Sequence, residues 1–225
     1  MDKLINYVNW GKTDYAEALS RQTELFNQKV QAKLYGKKDI SQDFIVCEHN
    51  NVYTLGLHAK DSNMLISEAF LKQINAQVFR INRGGDITYH GPGQITGYPI
   101  LDIDALGLGI RDYIDTIEQS VIDLMADYGV ECTRLKGATG VWIDAFGKNP
   151  RKICAIGVKA SRGITMHGFA LNVNTDLNYF NYINPCGFTD KGVTSMKNEL
   201  QKEFELDQIA RQLHGKFIKL IGKDK

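Results

Sequence analysis

Apolar residues recur at helical spacing in three places along the chain. Over 13–34, Tyr15, Ala18, Leu19, Phe26 and Val30 fall three and four apart, with Gln22 as the one polar break and Thr13 as a candidate N-cap. Over 110–128 the stripe is Ile110, Tyr113, Ile114, Ile117, Val121, Leu124, Met125 and Tyr128, and Gly129 stands where a helix ends. Leu206, Ile209, Ala210, Leu213, Phe217, Leu220 and Ile221 mark a closing helix, 206–221, before a short tail expected to fray. A short fourth helix, 67–74, starts at a capping Ser67. These stripes read as core.

Between the helices the pattern is strand-like. DFIVCEH at 43–49 and VYTLG at 52–56 flank a turn at 50–51, and QVFRINR follows at 77–83. GYPILDI runs to about 102–104, and LGLG at 106–109 makes a turn. VECTRL and GVWI lie around 130–143. KICAIGVKA at 152–160 and GITMHGFALNVN at 163–174 are joined through 161–163. Alternation in the last two is only partial, which suits a sheet covered on both faces in places. DAFGKNPR at 144–151 reads as a polar hairpin loop, and 190–199 is simply polar. With no repeat, linker or low-complexity segment, the reading is a single domain over 1–225 of the α/β (α+β) class. A mixed sheet is flanked by helices.

Composition narrows this little. The 225 residues carry 27 Lys and Arg against 26 Asp and Glu, a net charge of +1 that recruits neither nucleic acid nor an anionic membrane. There is no signal-peptide pattern and no uninterrupted apolar run long enough to span a bilayer. The four cysteines, Cys47, Cys132, Cys154 and Cys186, fit neither a zinc pattern nor a disulfide framework. Free thiols in a reducing cytoplasm are the expectation. Cys47, mid-strand, reads as a core residue.

Two stretches carry candidate chemistry. INPCG at 183–187 sets Cys186 between a proline that stiffens the backbone and a glycine that leaves the sulfur uncovered. Cys186 is a candidate nucleophile; the alternative is a small buried hydrophobe. RGGDITYHGPGQITGYP at 83–99 holds five of the 21 glycines and two of the four prolines, with Arg83, Asp86 and His90 among them. Such a segment can line a slot for a carbonyl, a phosphate or an acyl chain. It is not a P-loop, since no GK[ST] follows, and its glycines are spaced wrongly for a dinucleotide fingerprint.

A cysteine nucleophile works as its thiolate, so a cation nearby would activate it. His90, His167, Arg83, Lys152 and Lys159 are the candidates. Lys152 opens an apolar strand, where it either trades protons or snorkels to water. His90 and His167 are pocket residues or core histidines, with no partners at metal-ligand spacing. His49, His58 and His214 suggest surface or turn positions.

These motifs, in this order, resemble the lipoyl(octanoyl) transferase family over roughly 44–196: RGGDITYHGPGQITGYPILDI, GVWI, KICAIGVKASRGITMHGFALNVNTDL, INPCG and GVTSM. The resemblance implies the fold of biotin and lipoate protein ligases. It implies that Cys186 carries the acyl group as a thioester, and that Lys152 lowers the thiol pKa and assists proton transfer. Substrate-lining positions implied are Arg83, Gly84, Gly85, Asp86, Ile87, Thr88, Tyr89 and His90, then Ala155, Ile156 and Gly157, then Gly168, Phe169 and Ala170. The implied donor is octanoyl-acyl carrier protein, with the acyl group on phosphopantetheine and no other cofactor or ATP. The implied acceptors are lipoyl domains of 2-oxoacid dehydrogenase E2 subunits and the glycine cleavage H protein. An ATP-dependent lipoate or biotin ligase of the same fold, or a non-catalytic module binding lipoyl domains or carrier protein, are the rival readings. The loop at 144–151 bears on partner docking rather than chemistry.

Overall fold

The computed structural model describes residues 5–184 and 191–222. Cys186 and the last three residues lie outside them, so the expectations for the INPCG loop and the chain end are not addressed by the fold. In chain order the elements are β1 (Ile5–Lys12), α1 (Tyr15–Leu34), β2 (Gln42–Glu48), β3 (Val52–Leu55), α2 (Glu68–Gln73), β4 (Gln77–Arg80), β5 (Ile87–His90) and β6 (Gln94–Ile100). Then come α3 (Ile110–Asp127), β7 (Thr133–Leu135), β8 (Ala138–Ile143), β9 (Arg151–Ser161), β10 (Ile164–Asn172), β11 (Gly192–Val193), α4 (Met196–Leu200) and α5 (Leu206–Ile221).

A large mixed sheet runs β1-β2-β6-β10-β9-β8-β7, with β11 alongside β9; a second sheet has the order β4-β3-β5. Side chains alternate across β2, and each face finds its own helices. Phe44 and Val46 join Tyr113, Ile117, Val121 and Leu124 of α3 and Leu213 and Phe217 of α5. Ile45 and Cys47 face Ala18 and Phe26 of α1. Both faces are covered, which is why alternation in β9 and β10 looked partial. A third core, built on Tyr53, Leu55, Leu71, Ile87 and Tyr89, holds the small sheet to α2 and to a 3-10 turn at Leu177–Tyr182.

Several expectations change. The turn at 50–51 does not fold 43–49 and 52–56 onto each other; β2 and β3 belong to different sheets. Helix α1 is capped by Asp14, whose carboxylate accepts from Ala16 N at 2.8 Å, while the Thr13 hydroxyl turns back to Trp10 O. The glycine-rich stretch is not mainly loop. It contains β5 and β6, one in each sheet, and all seven β6 residues are buried. The polar run 190–199 hides β11 and α4, which Ser195 caps and the fully buried Met196 anchors. His49 is not a surface residue; it is fully buried, with Nε2 at 2.6 Å from Tyr98 OH and Nδ1 at 2.8 Å from Thr13 O. His214 is half-buried against Ile5 O. His58 is exposed, as read from the sequence.

Candidate active site

A cavity opens where the small sheet meets the large one. It encloses about 530 Å³ of empty space, part of it open to solvent. One wall is Gly85, Asp86, Ile87, Thr88 and His90; the other is Ala155, Ile156 and Gly157 of β9 with Gly168, Phe169 and Ala170 of β10. Backbone hydrogen bonds stitch the first wall in place. Gly84 N–H donates to Val158 O at 3.0 Å, Leu57 N–H to Arg83 O at 3.0 Å and His58 N–H to Gly85 O at 3.1 Å. Two glycines are needed for these approaches. Gly85 has φ +90°, and a Cβ on Gly157 would stand 2.7 Å from Gly84 O and 2.9 Å from Arg83 Cδ.

Among the described residues, three basic side chains besides Lys152 line the cavity: Arg83, His90 and His167. Arg83 is 7% exposed; its Nη2 donates to Thr54 O at 2.7 Å and to Thr54 Oγ1 at 3.0 Å. Burial, then the charges of His49 and Arg83, push His90 down to about 3, so it is neutral at physiological pH. Burial also pushes His167 down to about 3, with Arg83 and Lys159 contributing. His167 has φ +60° inside β10, and its Nε2 lies 3.0 Å from Asn82 Oδ1. The central strand opposite carries Pro99, which has no N–H for the ladder. The Thr165 hydroxyl donates to Pro99 O at 2.7 Å. Neither imidazole is placed as a proton carrier near neutrality.

Lys152 reaches the cavity from the start of β9, 8% exposed. Its backbone is paired on one side with Trp142 of β8 and on the other with Val193 of β11. Nζ donates to Thr139 O at 3.0 Å and stands 4.8 Å from the Trp142 ring centroid. The side chain therefore does not snorkel to bulk water. Lys159, another candidate cation, stands over Phe26 on the α1 side and is not among the lining residues.

The structure thus brings most of the sequence-derived positions to one cavity. Two stand apart. Gly84 is the seam to β9, and Tyr89 turns into the small-sheet core, stacked on Tyr179 at 4.9 Å and donating to Asn51 Oδ1. Tyr15, Ile81, Thr96 and Tyr98 also line the cavity. Their sequence signal was ordinary: Tyr15 read as one apolar step of the α1 stripe. Among the described cysteines none suits a nucleophile. Burial raises the thiol pKa of Cys47 and Cys154, and pushes Cys132 up to about 12. Among the described residues no group of three or more His, Cys, Asp or Glu could hold a metal ion, and no helix is long and apolar enough to cross a membrane.

Comparison with known proteins agrees with this architecture. Residues 14–218 match the family model for the lipoyl protein ligase A/B catalytic domain, wider than the 44–196 that the motifs covered. An octanoyltransferase of Bacteroides thetaiotaomicron is 50% identical over 218 residues, 97% of this chain and 96% of that one. One from Parabacteroides distasonis is 51% identical over 217 residues, 96% and 98% respectively. At the level of fold alone, a bipartite lipoate protein ligase from Thermoplasma acidophilum superposes with a TM-score of 0.67 at 14% identity, covering 97% of this chain and 84% of that one. The sequence match over almost the whole chain, on the fold shared by that structure, places this protein in the lipoyl protein ligase A/B catalytic domain family.

Proposed function

We propose that this acyltransferase moves an octanoyl group from the phosphopantetheine thioester of octanoyl-acyl carrier protein to a lysine of a lipoyl domain, through a thioester on Cys186. The observation that carries the reading is Lys152, a buried ammonium set at an apolar cavity where the chain on either side of 185–190 is anchored. On one side Asn184 N–H donates to Asn63 O, and the Asn63 side chain donates to Asp86 of the cavity wall. On the other, Gly192 and Val193 pair with Arg151 and Lys152.

The chemistry follows. An ammonium beside the thiol favours the thiolate. Thiolate attack on the donor thioester forms one C–S bond and breaks another at little cost in free energy, so no ATP is needed. The octanoyl tail gains about 0.8 kcal/mol for each CH₂ it buries against Ile87, Ile156 and Phe169. Backbone N–H groups of the glycine-rich wall suit a developing oxyanion. The acceptor lysine amine then attacks, an amide forms, and the sulfur leaves as thiolate. The Lys152 ammonium first gives its proton to the departing phosphopantetheine thiolate, so its neutral amine, or water, can then take the proton of the attacking acceptor amine. Lipoyl domains of 2-oxoacid dehydrogenase E2 subunits and the glycine cleavage H protein are the proposed acceptors, in the cytoplasm.

Incubation with octanoyl-acyl carrier protein and no nucleotide, followed by intact-mass analysis, should give an octanoyl adduct mapped by digestion to Cys186. Strict dependence on ATP would instead identify a ligase. Cys186→Ser should abolish transfer, and Lys152→Ala should lower kcat by about 10²–10⁴-fold.

A further inference from the structure

Behind the cavity runs a chain of buried hydrogen bonds whose members do not all touch the substrate space. Arg83 Nη2 donates to Thr54 Oγ1 at 3.0 Å, which stands 3.2 Å from His90 Nε2. His90 Nδ1 is 2.9 Å from Gln94 Oε1. Gln94 Nε2 donates to Asn172 Oδ1 at 2.9 Å, and Asn172 Nδ2 donates to Thr194 O at 3.0 Å. The adjoining Thr194 N–H donates to Lys152 O at 3.0 Å. Thr54, Gln94, Asn172 and Thr194 are each at most 4% exposed, so none can exchange its partner for water.

The direction of every bond can be read from one end. Thr194 O is a backbone carbonyl and can only accept, so Asn172 presents its NH₂ there and its oxygen to Gln94. Gln94 must then present NH₂ to Asn172 and its oxygen to His90. His90 therefore carries its proton on Nδ1, and its Nε2 accepts. The Thr54 hydroxyl donates to that nitrogen and accepts from Arg83. All donors point the same way, from a guanidinium at one end to the backbone beside Lys152 at the other, and bonds so aligned strengthen one another.

We propose that Thr54, Gln94 and Asn172 are positioning residues for acyl transfer: their aligned hydrogen bonds hold Arg83 and the backbone of Lys152, the two cations lining the cavity, at a fixed separation across the substrate. The relay also locks His90 as the Nδ1–H tautomer, which takes it out of proton transfer. This rests on Lys152 acting in the reaction proposed above.

Thr54→Val keeps the shape and removes the hydroxyl, whereas Thr54→Ser keeps the hydroxyl. The valine variant should lose about tenfold or more in kcat while KM for the acyl donor stays within about twofold, and the serine variant should recover most of the loss. Asn172→Asp, which sets a carboxylate oxygen against Thr194 O, should reproduce the kcat defect. In the wild-type protein, ¹⁵N shifts of His90 should report a neutral Nδ1–H ring from pH 5 to 8. The proposal is overturned by a valine variant with normal kcat, by serine and valine variants equally impaired, or by an Nε2–H ring. The tautomer measurement needs no turnover. Wild-type protein that makes no octanoyl product would therefore defeat the functional reading while leaving the relay's geometry separately tested.

Discussion

Gly157 shows how a single position sets a close approach in the cavity wall. Its missing side chain lets the Arg83 stem and the Gly84 carbonyl close on β9. Gly157→Ala should cost about 1–3 kcal/mol of stability through overpacking and displace Arg83, so octanoyl transfer should fall further than the melting temperature alone explains. Equal losses in the two measurements would show that the residue only packs. Residue identity also decides which sulfur can react. Cys47, Cys132 and Cys154 are held as thiols by burial, so brief alkylation of the folded protein near neutral pH should leave all three unlabelled. Peptide mapping that finds any of them modified before unfolding would contradict this.

At the scale of elements, the informative piece is the small one the polar pattern concealed. Helix α4 is fixed to β9 by a two-pronged pair, Arg151 Nε and Nη2 each 2.6 Å from a Glu199 carboxylate oxygen, with the Thr194 hydroxyl donating to the same carboxylate. Arg151, followed by that hydroxyl, holds the Glu199 carboxyl below the usual range. A depressed carboxylate contributes stability that is present above its unfolded pKa and lost as pH falls through the folded one. Glu199→Gln should cost about 1.5–3 kcal/mol at pH 7 in denaturant unfolding, and less at pH 3. A cost that does not shrink on acidification would remove the charge argument. Helix α5 illustrates the opposite case. Its stripe was plain in the sequence, and Phe217, 1% exposed against Phe44, should cost about 3–5 kcal/mol when replaced by Ala.

For the whole molecule, the cavity exists because two sheets meet there, and its buried imidazoles tie stability to pH. His90 and His167 sit near 3 in the fold and near 6.5 when exposed in an unfolded chain. The unfolded state therefore binds more protons below pH 6.5. Stability should fall as the pH drops from about 6.5 toward 3, by up to about 1.36 kcal/mol per pH unit for each histidine. Unfolding midpoints that stay level between pH 6.5 and 5 would show that these rings are not buried neutral.

Period alone announced the three long helices, because each buries a continuous stripe, while the short turn at 161–163 and the partial alternation around it marked β9 and β10 as strands of a sheet covered on both faces. The glycine cluster with Arg83, Asp86 and His90 stood out locally, whereas 155–157, 168–170 and the choice of Lys152 came from the family resemblance, because short strand segments carry no local mark of a pocket. Only tertiary structure decided that β2 and β3 part into different sheets, that His49 is interior, that α4 exists on one buried methionine, and that Tyr89 turns away from the wall that Thr88 and His90 line. It alone joined Thr54, Gln94 and Asn172 into one line. Those residues stand dozens of positions apart, and a hydrogen bond between polar side chains leaves no periodic trace in the chain that makes it.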